Sequence, residues 1–370
     1  MHVAMLTPLK DPDHPEPSGD RAMARLLRAA LRQAGCTIDV PSRRRMLDRR
    51  GDTVLMRDLA AAASADADSY VGAVKAGLAK RPDAVFTYHV YYKAPDVAGP
   101  RVAKALRLPY VVAEGSRAPR RAGGPWAEGH RLAEAALDAA DAVLVLNERD
   151  REALAKAALP GQRLVEFPPF VDAADWPDFP RPPVRPAGPL RLLAVAMMRP
   201  GDKLASYAIL AEAFAAVPAD VTLDIAGDGP ARAEVAALFA AFGSRVRFHG
   251  LVADRARLAR LYADADLLVW PAVNEAFGMV FLEAALQGCP ALAGAAGGVP
   301  GVVRHGETGV LVPDRDAAAF ARALAALCGD PTPLGRMGAA ARRFARQERS
   351  LEGAAARLHA VLGSEGAGRS

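Results

Sequence analysis

Short apolar runs alternate with helical patterns along this chain, and the alternation occurs twice. In the first half the apolar runs cover residues 2–6, 37–40, 84–88, 110–113, 142–146 and 164–167. In the second half they cover residues 190–196, 221–226, 246–248, 267–270, 291–293 and 309–312. Runs of this length, separated by helical patterns such as 20–34 and 126–139, are typical of buried parallel strands joined by crossover helices. The pattern predicts the α/β class.

A proline-rich segment divides the two halves. Residues 176–189 contain six prolines, which neither a helix nor a central strand would tolerate. We therefore predict a Rossmann-like domain over residues 1–176, a linker over 177–189 and a second such domain over 190–350. Residues 351–370 would form a C-terminal helix, which could pack back on the first domain, and a tail. Two doubly wound domains facing a cleft would bind ligands at the carboxyl ends of their strands.

Composition narrows the class of function. The net charge is +5 and aromatic residues make up only 6% of the 370 residues, so nucleic-acid binding is disfavoured and phosphate-bearing ligands are compatible. The three cysteines are far apart, which predicts neither a disulfide framework nor a zinc site and favours a reducing compartment. We find no signal-peptide pattern and no apolar stretch long enough to cross a bilayer. The expectation is a cytoplasmic protein.

Two carboxylates mark the segment between residues 265 and 288. Glu275 falls in a predicted strand-to-helix loop, and Glu283 lies about two turns along the helix that follows. A helix N-terminus preceded by glycine binds anions, and carboxylates accept hydrogen bonds from hydroxyl groups. A site with both properties suits a sugar nucleotide. Alternatively, Glu275 is only a helix-start acid favoured by the macrodipole and Glu283 a surface residue.

Two cations follow the predicted strand at 190–196. Arg199 and Lys203 stand four residues apart across a turn and could face one site. Positive charge there would stabilise a leaving nucleoside diphosphate. Alternatively, they are exposed loop cations in an arginine-rich chain.

Several motifs of the second half, in this order, resemble the retaining glycosyltransferases of family 4, which have the GT-B fold. The motifs are Met198-Arg199-Pro-Gly-Asp-Lys203, Ile225-Ala-Gly227-Asp228-Gly229-Pro230, Phe248-His-Gly250-Leu-Val252, the Glu275 and Glu283 segment, and Gly297-Gly298-Val-Pro300 followed by Gly306-Glu-Thr-Gly309-Val-Leu-Val-Pro313. The first half is similar only through its strand order and a Ser18-Gly19 loop. The chain departs from the family at Leu204, where glycine is usual.

The resemblance implies a role for each motif. Arg199 and Lys203 would contact the donor diphosphate, Glu275 would read the hydroxyls of the donor sugar, and Glu283 would bind the ribose. The implied catalytic residues are Arg199, Lys203, Glu275 and His89. The implied donor-binding residues are Gly19, Gly227, Gly229, Val252, Phe277, Gly278, Met279 and Glu283. The donor would be a UDP-, GDP- or ADP-sugar, with no further cofactor.

The polar residues of the first half are harder to assign. Gly19 would let the backbone approach the diphosphate, while Ser18 or Asp20 is also a good helix N-cap. His89 follows a predicted strand and could position acceptor or sugar, or serve as a structural hydrogen-bonding group. Many family members carry a functional histidine one strand later, where this chain has Glu114. Glu114 could take over that polar role.

A row of arginines and an acidic pair complete the candidates. Arg21, Arg25, Arg28 and Arg32 share one face of the helix predicted at 20–34. This face could contact anionic lipids at the inner face of the membrane, or it could be an ordinary solvated surface. Asp264 and Asp266 imitate a metal-binding Asp-x-Asp motif, but they precede a strand and so lie at the wrong sheet end. We expect no metal site.

The predicted function is transfer of a hexosyl group from a nucleotide sugar to an acceptor hydroxyl, with retention and without a metal. The acceptor would be a glycan, a lipid-linked acceptor or a small molecule, and a role in building cell-envelope polysaccharide would fit. Two alternatives remain open at this point: a GT-B-fold nucleotide-sugar epimerase, and a non-catalytic protein that binds sugar nucleotides or glycans.

Overall fold

A computed structural model describes residues 1–16, 18–179 and 190–367 of the chain. The chain forms two compact units, one made of Met1–Pro168 with Leu351–Ser370 and the other of Pro169–Ser350. Most of the predicted linker, residues 180–189, lies outside the described residues.

Strands and helices alternate through both units. The strands are β1 (His2–Leu6), β2 (Thr37–Asp39), β3 (Ala84–Val90), β4 (Tyr110–Gly115), β5 (Ala142–Val145), β6 (Arg163–Glu166), β7 (Arg191–Val195), β8 (Thr222–Ala226), β9 (Val246–Gly250), β10 (Leu267–Trp270), β11 (Ala291–Gly294) and β12 (Gly309–Val312). The α-helices are α1 (Gly19–Gln33), α2 (Thr53–Lys75), α3 (Ala98–Leu106), α4 (Ala127–Asp138), α5 (Glu148–Lys156), α6 (Asp202–Ala215), α7 (Arg232–Phe239), α8 (Arg255–Asp264), α9 (Met279–Leu286), α10 (Ala317–Gly329), α11 (Thr332–Gln347) and α12 (Leu351–Ala367).

The first unit has a parallel sheet of six strands in the order β2-β1-β3-β4-β5-β6. Every residue of β1, β4 and β5 is buried, as expected for strands covered by helices on both faces. The chain runs from β1 outward to β2 and then returns to place β3 on the other side of β1. In open α/β sheets such a reversal leaves a ligand-binding crevice at the carboxyl ends of the strands, so one is expected here at the ends of β1 and β3.

The second unit repeats the plan with the order β12-β11-β10-β7-β8-β9. Its strands are also parallel, and its core clusters around fully buried side chains such as Leu193, Ile225 and Leu268. The order reverses between β7 and β10, which are direct neighbours. The second ligand-binding crevice is therefore expected at the carboxyl ends of β7 and β10.

The ends of the two units differ from the boundaries expected from composition. The first unit ends at Pro168, before the predicted domain end at residue 176. The reason is that Val171 is buried in the core of the second unit, and its N–H donates to Arg349 O at 2.8 Å. Helix α12 belongs to the first unit and packs against α1.

The predicted fold class, two doubly wound parallel α/β domains, is confirmed by these two sheets with their flanking helices. Among the described residues, no helix combines the length and the apolar character that crossing a membrane requires.

Candidate functional site

Lys203 and Glu275 form an ion pair in the crevice of the second unit. Lys203 lies in the first turn of α6, directly after β7, and Glu275 lies in the loop between β10 and α9. Trp270, the last residue of β10, places its Nε1 3.5 Å from Glu275 Oε2, and Lys203 Nζ lies 5.5 Å from the centre of its ring. Two residues 72 positions apart are thus brought together by the strand order. Arg199, by contrast, is exposed and has no ion-pair partner in the part of the chain that the structure describes.

The loop that carries Arg199 is held by two glycines of the turn after β8. A Cβ atom at Gly227 would lie 1.8 Å from Ala196 O, and one at Gly229 would lie 2.2 Å from Met198 O. Both glycines have φ near +153°, outside the range that other residues readily adopt. Packing of backbone on backbone therefore accounts for both glycines, and direct contact with a donor stays a prediction.

The loop that carries Glu275 is held in the same way. A Cβ at Gly297 would lie 2.1 Å from Glu275 O, and one at Gly298 would lie 2.2 Å from Ala276 O. Gly298 N–H also donates to Ala276 O at 2.9 Å. These contacts show that the Gly297-Gly298 motif fixes the backbone that carries Glu275.

The N-terminus of helix α9 is the part of this crevice that suits an anion. Gly278 is its N-cap, in the left-handed conformation with φ 68° and ψ 51°. Within the described ranges, no hydrogen bond uses the N–H groups of Phe277, Gly278, Met279 or Val280. Unused N–H groups and the positive end of the helix dipole together favour a phosphate or carboxylate at this point.

Glu283 lies further along α9 than these N–H groups. Its Oε2 accepts a hydrogen bond of 2.9 Å from the hydroxyl of Tyr262 on α8. Burial raises the pKa of Glu283 and the hydrogen bond from Tyr262 opposes that shift. A half-buried carboxylate held by one hydroxyl retains free lone pairs for further donors. Val252, in the loop after β9, is half-buried and follows Leu251, which is 68% exposed.

The crevice of the first unit collects Asp20, His89 and Glu114. His89 Nδ1 lies 3.2 Å from Asp20 Oδ1 and 3.7 Å from Glu114 Oε2. His89 and Glu114 sit near the ends of the adjacent strands β3 and β4 and have left-handed φ values of 66° and 62°. The ring of Tyr91 packs on His89 with centroids 4.8 Å apart. The histidine and the glutamate that the sequence offered as alternatives are therefore neighbours.

Burial and charge shift the pKa values of this cluster. Burial raises the pKa of Glu114 to about 7, although His89 opposes the shift. Burial alone would lower the pKa of His89, but the negative charge of Glu114 and Asp20 outweighs burial and raises it. Burial also disfavours the charged form of Asp20, yet its interaction with His89 at 3.2 Å lowers its pKa overall. The cluster can hold or exchange a proton near neutral pH.

Sequence reasoning missed one member of this cluster and treated another only as a helix cap. Asp150 lies in the first turn of α5, and its charge raises the pKa of both His89 and Glu114. It accepts a 2.7 Å hydrogen bond from Ser116 Oγ. An acid four or five residues after a buried strand was the available signal. For the first loop, Ser18 is the N-cap of α1, while Asp20 faces His89 instead. A Cβ at Gly19 would meet no atom within 4 Å, so packing does not require glycine there.

Three of the four arginines on α1 are bound by the loop that precedes it. Arg21 donates to His14 O at 2.8 Å, Arg25 donates to Pro12 O at 2.6 Å, and Arg28 forms an ion pair with Asp13 at 2.8 Å. Contact of this face, including Arg32, with an anionic membrane stays a prediction. The described ranges contain no group of three or more His, Cys, Asp or Glu side chains placed to hold a metal ion.

Comparison with known proteins supports the description of the second unit. Residues 189–330 match the family model described as Glycosyl transferases group 1. A D-inositol 3-phosphate glycosyltransferase from Streptomyces avermitilis is 45% identical over 100 residues, which are 27% of this chain and 21% of that protein. The match thus spans about a fifth of that relative, and assignment to family 4 stays a prediction.

Solved structures match over the whole chain at low identity. Sucrose-phosphate synthase from Thermosynechococcus elongatus superposes with a TM-score of 0.70 at 22% identity, covering 99% of each chain. Anabaena HepE in complex with UDP-glucose superposes with a TM-score of 0.68 at 18% identity, covering 98% of this chain and 100% of that one. These likenesses show the fold, which is GT-B.

Proposed function

We propose that this protein is a glycosyltransferase that moves a hexosyl group from a nucleoside diphosphate sugar to an acceptor hydroxyl, with retention of the anomeric configuration. The observation that carries the proposal is the crevice of the second unit. There the Lys203–Glu275 ion pair stands beside the unused N–H groups at the start of α9. Cation and helix dipole suit a diphosphate, and the carboxylate suits sugar hydroxyls.

In this proposal each part of the donor has its own partner. Arg199, Lys203 and the N-terminus of α9 bind the diphosphate, and Glu275 accepts hydrogen bonds from the sugar. Glu283 accepts from the ribose. The exposed Leu251 and the half-buried Val252 border the place where the base would lie.

The chemical step follows from the charges. The bond between the anomeric carbon and the diphosphate oxygen breaks, and the acceptor oxygen bonds to that carbon on the same face. The acceptor's proton passes to the departing phosphate oxygen. The developing negative charge on the diphosphate is stabilised by the cations and by the helix N-terminus. The step as proposed needs no divalent cation, because these groups supply the positive charge.

The comparisons suggest which substrates to try first. HepE was solved with UDP-glucose, so UDP-glucose is the first donor, followed by the GDP and ADP conjugates. The Streptomyces relative is named for D-inositol 3-phosphate, which is therefore one acceptor to include. The relatives and structures named above give no support to the epimerase alternative.

The test is product analysis. The protein is incubated with UDP-glucose and a panel of hydroxyl acceptors in the presence of EDTA, and the anomeric proton coupling of the product is measured by NMR. We expect a new glycoside with the α configuration of the donor. A β-linked product would contradict retention, activity only after Mg²⁺ addition would contradict metal independence, and epimerised donor without acceptor would contradict transfer.

A further inference from the structure

The crevice of the first unit is lined by acids rather than by cations. Asp20 at the start of α1, Glu114 on β4 and Asp150 on α5 surround His89. The charges that act most strongly on Glu114 come from His89, Asp20 and Asp150. Because the crevice lies where the strand order reverses, it is a place where a sheet of this kind binds a ligand.

Three buried polar atoms in this crevice make no hydrogen bond of ordinary geometry within the described residues. They are Glu114 Oε2, the hydroxyl of Tyr88 and His89 Nδ1, and Glu114 and Tyr88 are only 7% and 1% exposed. Buried polar atoms are nearly always paired, and leaving one unpaired costs free energy. The left-handed backbone at His89 and Glu114 is a further cost. Tyr88 and Glu114 act on each other's pKa, and a ligand with hydrogen-bond donors would give the Glu114 oxygen a further partner.

Apart from His89 itself, the nearby cations pair with acids outside the cluster, although the charge of Lys10 also acts on Asp20. Lys10, in the loop after β1, is buried and paired with Glu16 at 3.1 Å. Arg117, which follows β4, is also buried and donates to Glu134 at 2.5 Å and to Asp138 at 2.7 Å. The charges of two other arginines act on groups of this crevice, Arg49 on Tyr91 and Arg149 on Asp150. A phosphate placed next to Asp20 and Glu114 would therefore meet like charge.

Building on the proposed function, we propose that this crevice binds the acceptor and selects a polyol or amino sugar that carries no phosphate. Hydroxyl and ammonium groups would donate to the carboxylates of Asp20 and Glu114 in charge-assisted hydrogen bonds. A phosphate group carries about −1.5 to −2 charge at neutral pH, so the Asp20 carboxylate repels it, and Glu114 does so when it is ionised. The same acids thus attract acceptors that offer hydroxyl or ammonium donors and exclude acceptors that carry a phosphate.

The test uses matched acceptor pairs with UDP-glucose as donor. The pairs are myo-inositol with D-myo-inositol 3-phosphate, and glucosamine with glucosamine 6-phosphate. Binding of each compound is measured by saturation-transfer NMR, and kcat/KM is measured wherever transfer occurs. We expect the wild type to favour the unphosphorylated member by about tenfold or more. Asp20→Asn combined with Glu114→Gln should narrow that ratio, whereas Glu152→Gln, an exposed acid on α5, should leave it unchanged.

Three results would overturn the inference: preference of the wild type for the phosphorylated members, an unchanged ratio in the double variant, or no binding of any unphosphorylated compound. Calorimetric binding of UDP-, GDP- and ADP-glucose to the same samples separates this failure from a failure of the proposed function. If a donor binds and the phosphorylated acceptor wins, only the acceptor inference falls. If no donor binds, the proposed function falls as well.

Discussion

At the scale of single residues, Lys203 and Glu275 should matter for turnover more than for stability. Both side chains are partly exposed, 25% and 18%, and a partly exposed ion pair contributes only about 1 kcal/mol to folding. Glu275→Gln should therefore change the melting temperature little. It should lower kcat/KM for the donor by roughly 10²- to 10³-fold, the usual loss when one group that stabilises the transition state is removed.

Steady-state kinetics and calorimetric melting on the same preparation test this expectation. The matched control is Glu234→Gln, because Glu234 is an exposed acid on α7. This substitution should change neither kcat/KM nor the melting temperature. If the turnover of Glu275→Gln lay within twofold of the wild type, Glu275 would have no role in the reaction.

Glu114 should make stability depend on pH. Its pKa in the folded protein is about 7, above the ordinary value of an unfolded glutamate. A raised pKa means that its favourable contribution is complete below about pH 4.5 and is lost as the pH rises through about 7. Glu114→Gln cannot ionise, so its melting temperature relative to wild type should rise between pH 5 and pH 8.

Thermal melts of both proteins across this pH range measure the difference. His89 has a raised pKa and acts with the same sign, while Asp20 has a lowered pKa and acts with the opposite sign. The comparison of variant with wild type is needed for that reason. An offset that stays constant with pH would show that Glu114 does not titrate in this window.

At the scale of elements, the loops of the second unit depend on glycines that pack backbone against backbone. Gly227→Ala would push a Cβ against Ala196 O at 1.8 Å, and this backbone oxygen can move only with β7. We expect a loss of about 2–4 kcal/mol in the free energy of unfolding, measured by urea denaturation. Gly301→Ala is the control, since its Cβ would meet nothing within 4 Å. Equal stability of both variants would contradict this explanation.

The elements were largely predictable from sequence, and the exceptions have a physical cause. Strands β1 and β10 coincide with the predicted runs because all of their residues are buried and almost all are apolar, and β12 coincides although its two central residues are only half-buried. Strands β3 and β4 run two residues beyond the predictions. The extensions contain His89 and Glu114, polar residues in left-handed conformation, and an apolar pattern stops before such residues.

The candidate site was less predictable than the strands. Glu275 could be identified from its motif, but its pairing with Lys203 depends on β10 lying beside β7, which periodicity along the chain does not reveal. The same holds for His89, Glu114 and Asp150, which come from β3, β4 and α5. Contacts set by strand order require the fold before they can be assigned.

At the scale of the whole molecule, the two units apply one rule to different chemistry. Each places charged side chains at the point where its strand order reverses, which is where sheets of this kind bind ligands. The second unit offers a cation and free N–H groups, which suit a diphosphate. The first unit offers carboxylates, which suit hydroxyl or ammonium donors. A chain with both crevices has the parts for a donor and for an acceptor.

The most direct test of the donor crevice is isothermal titration calorimetry of UDP-glucose, GDP-glucose and ADP-glucose against the full chain without added metal. We expect micromolar binding of one of them, weakened at least tenfold in Glu283→Gln and unchanged in Glu234→Gln. No binding of any of the three, or equal binding by Glu283→Gln, would contradict the assignment of the second unit's crevice to a nucleotide sugar.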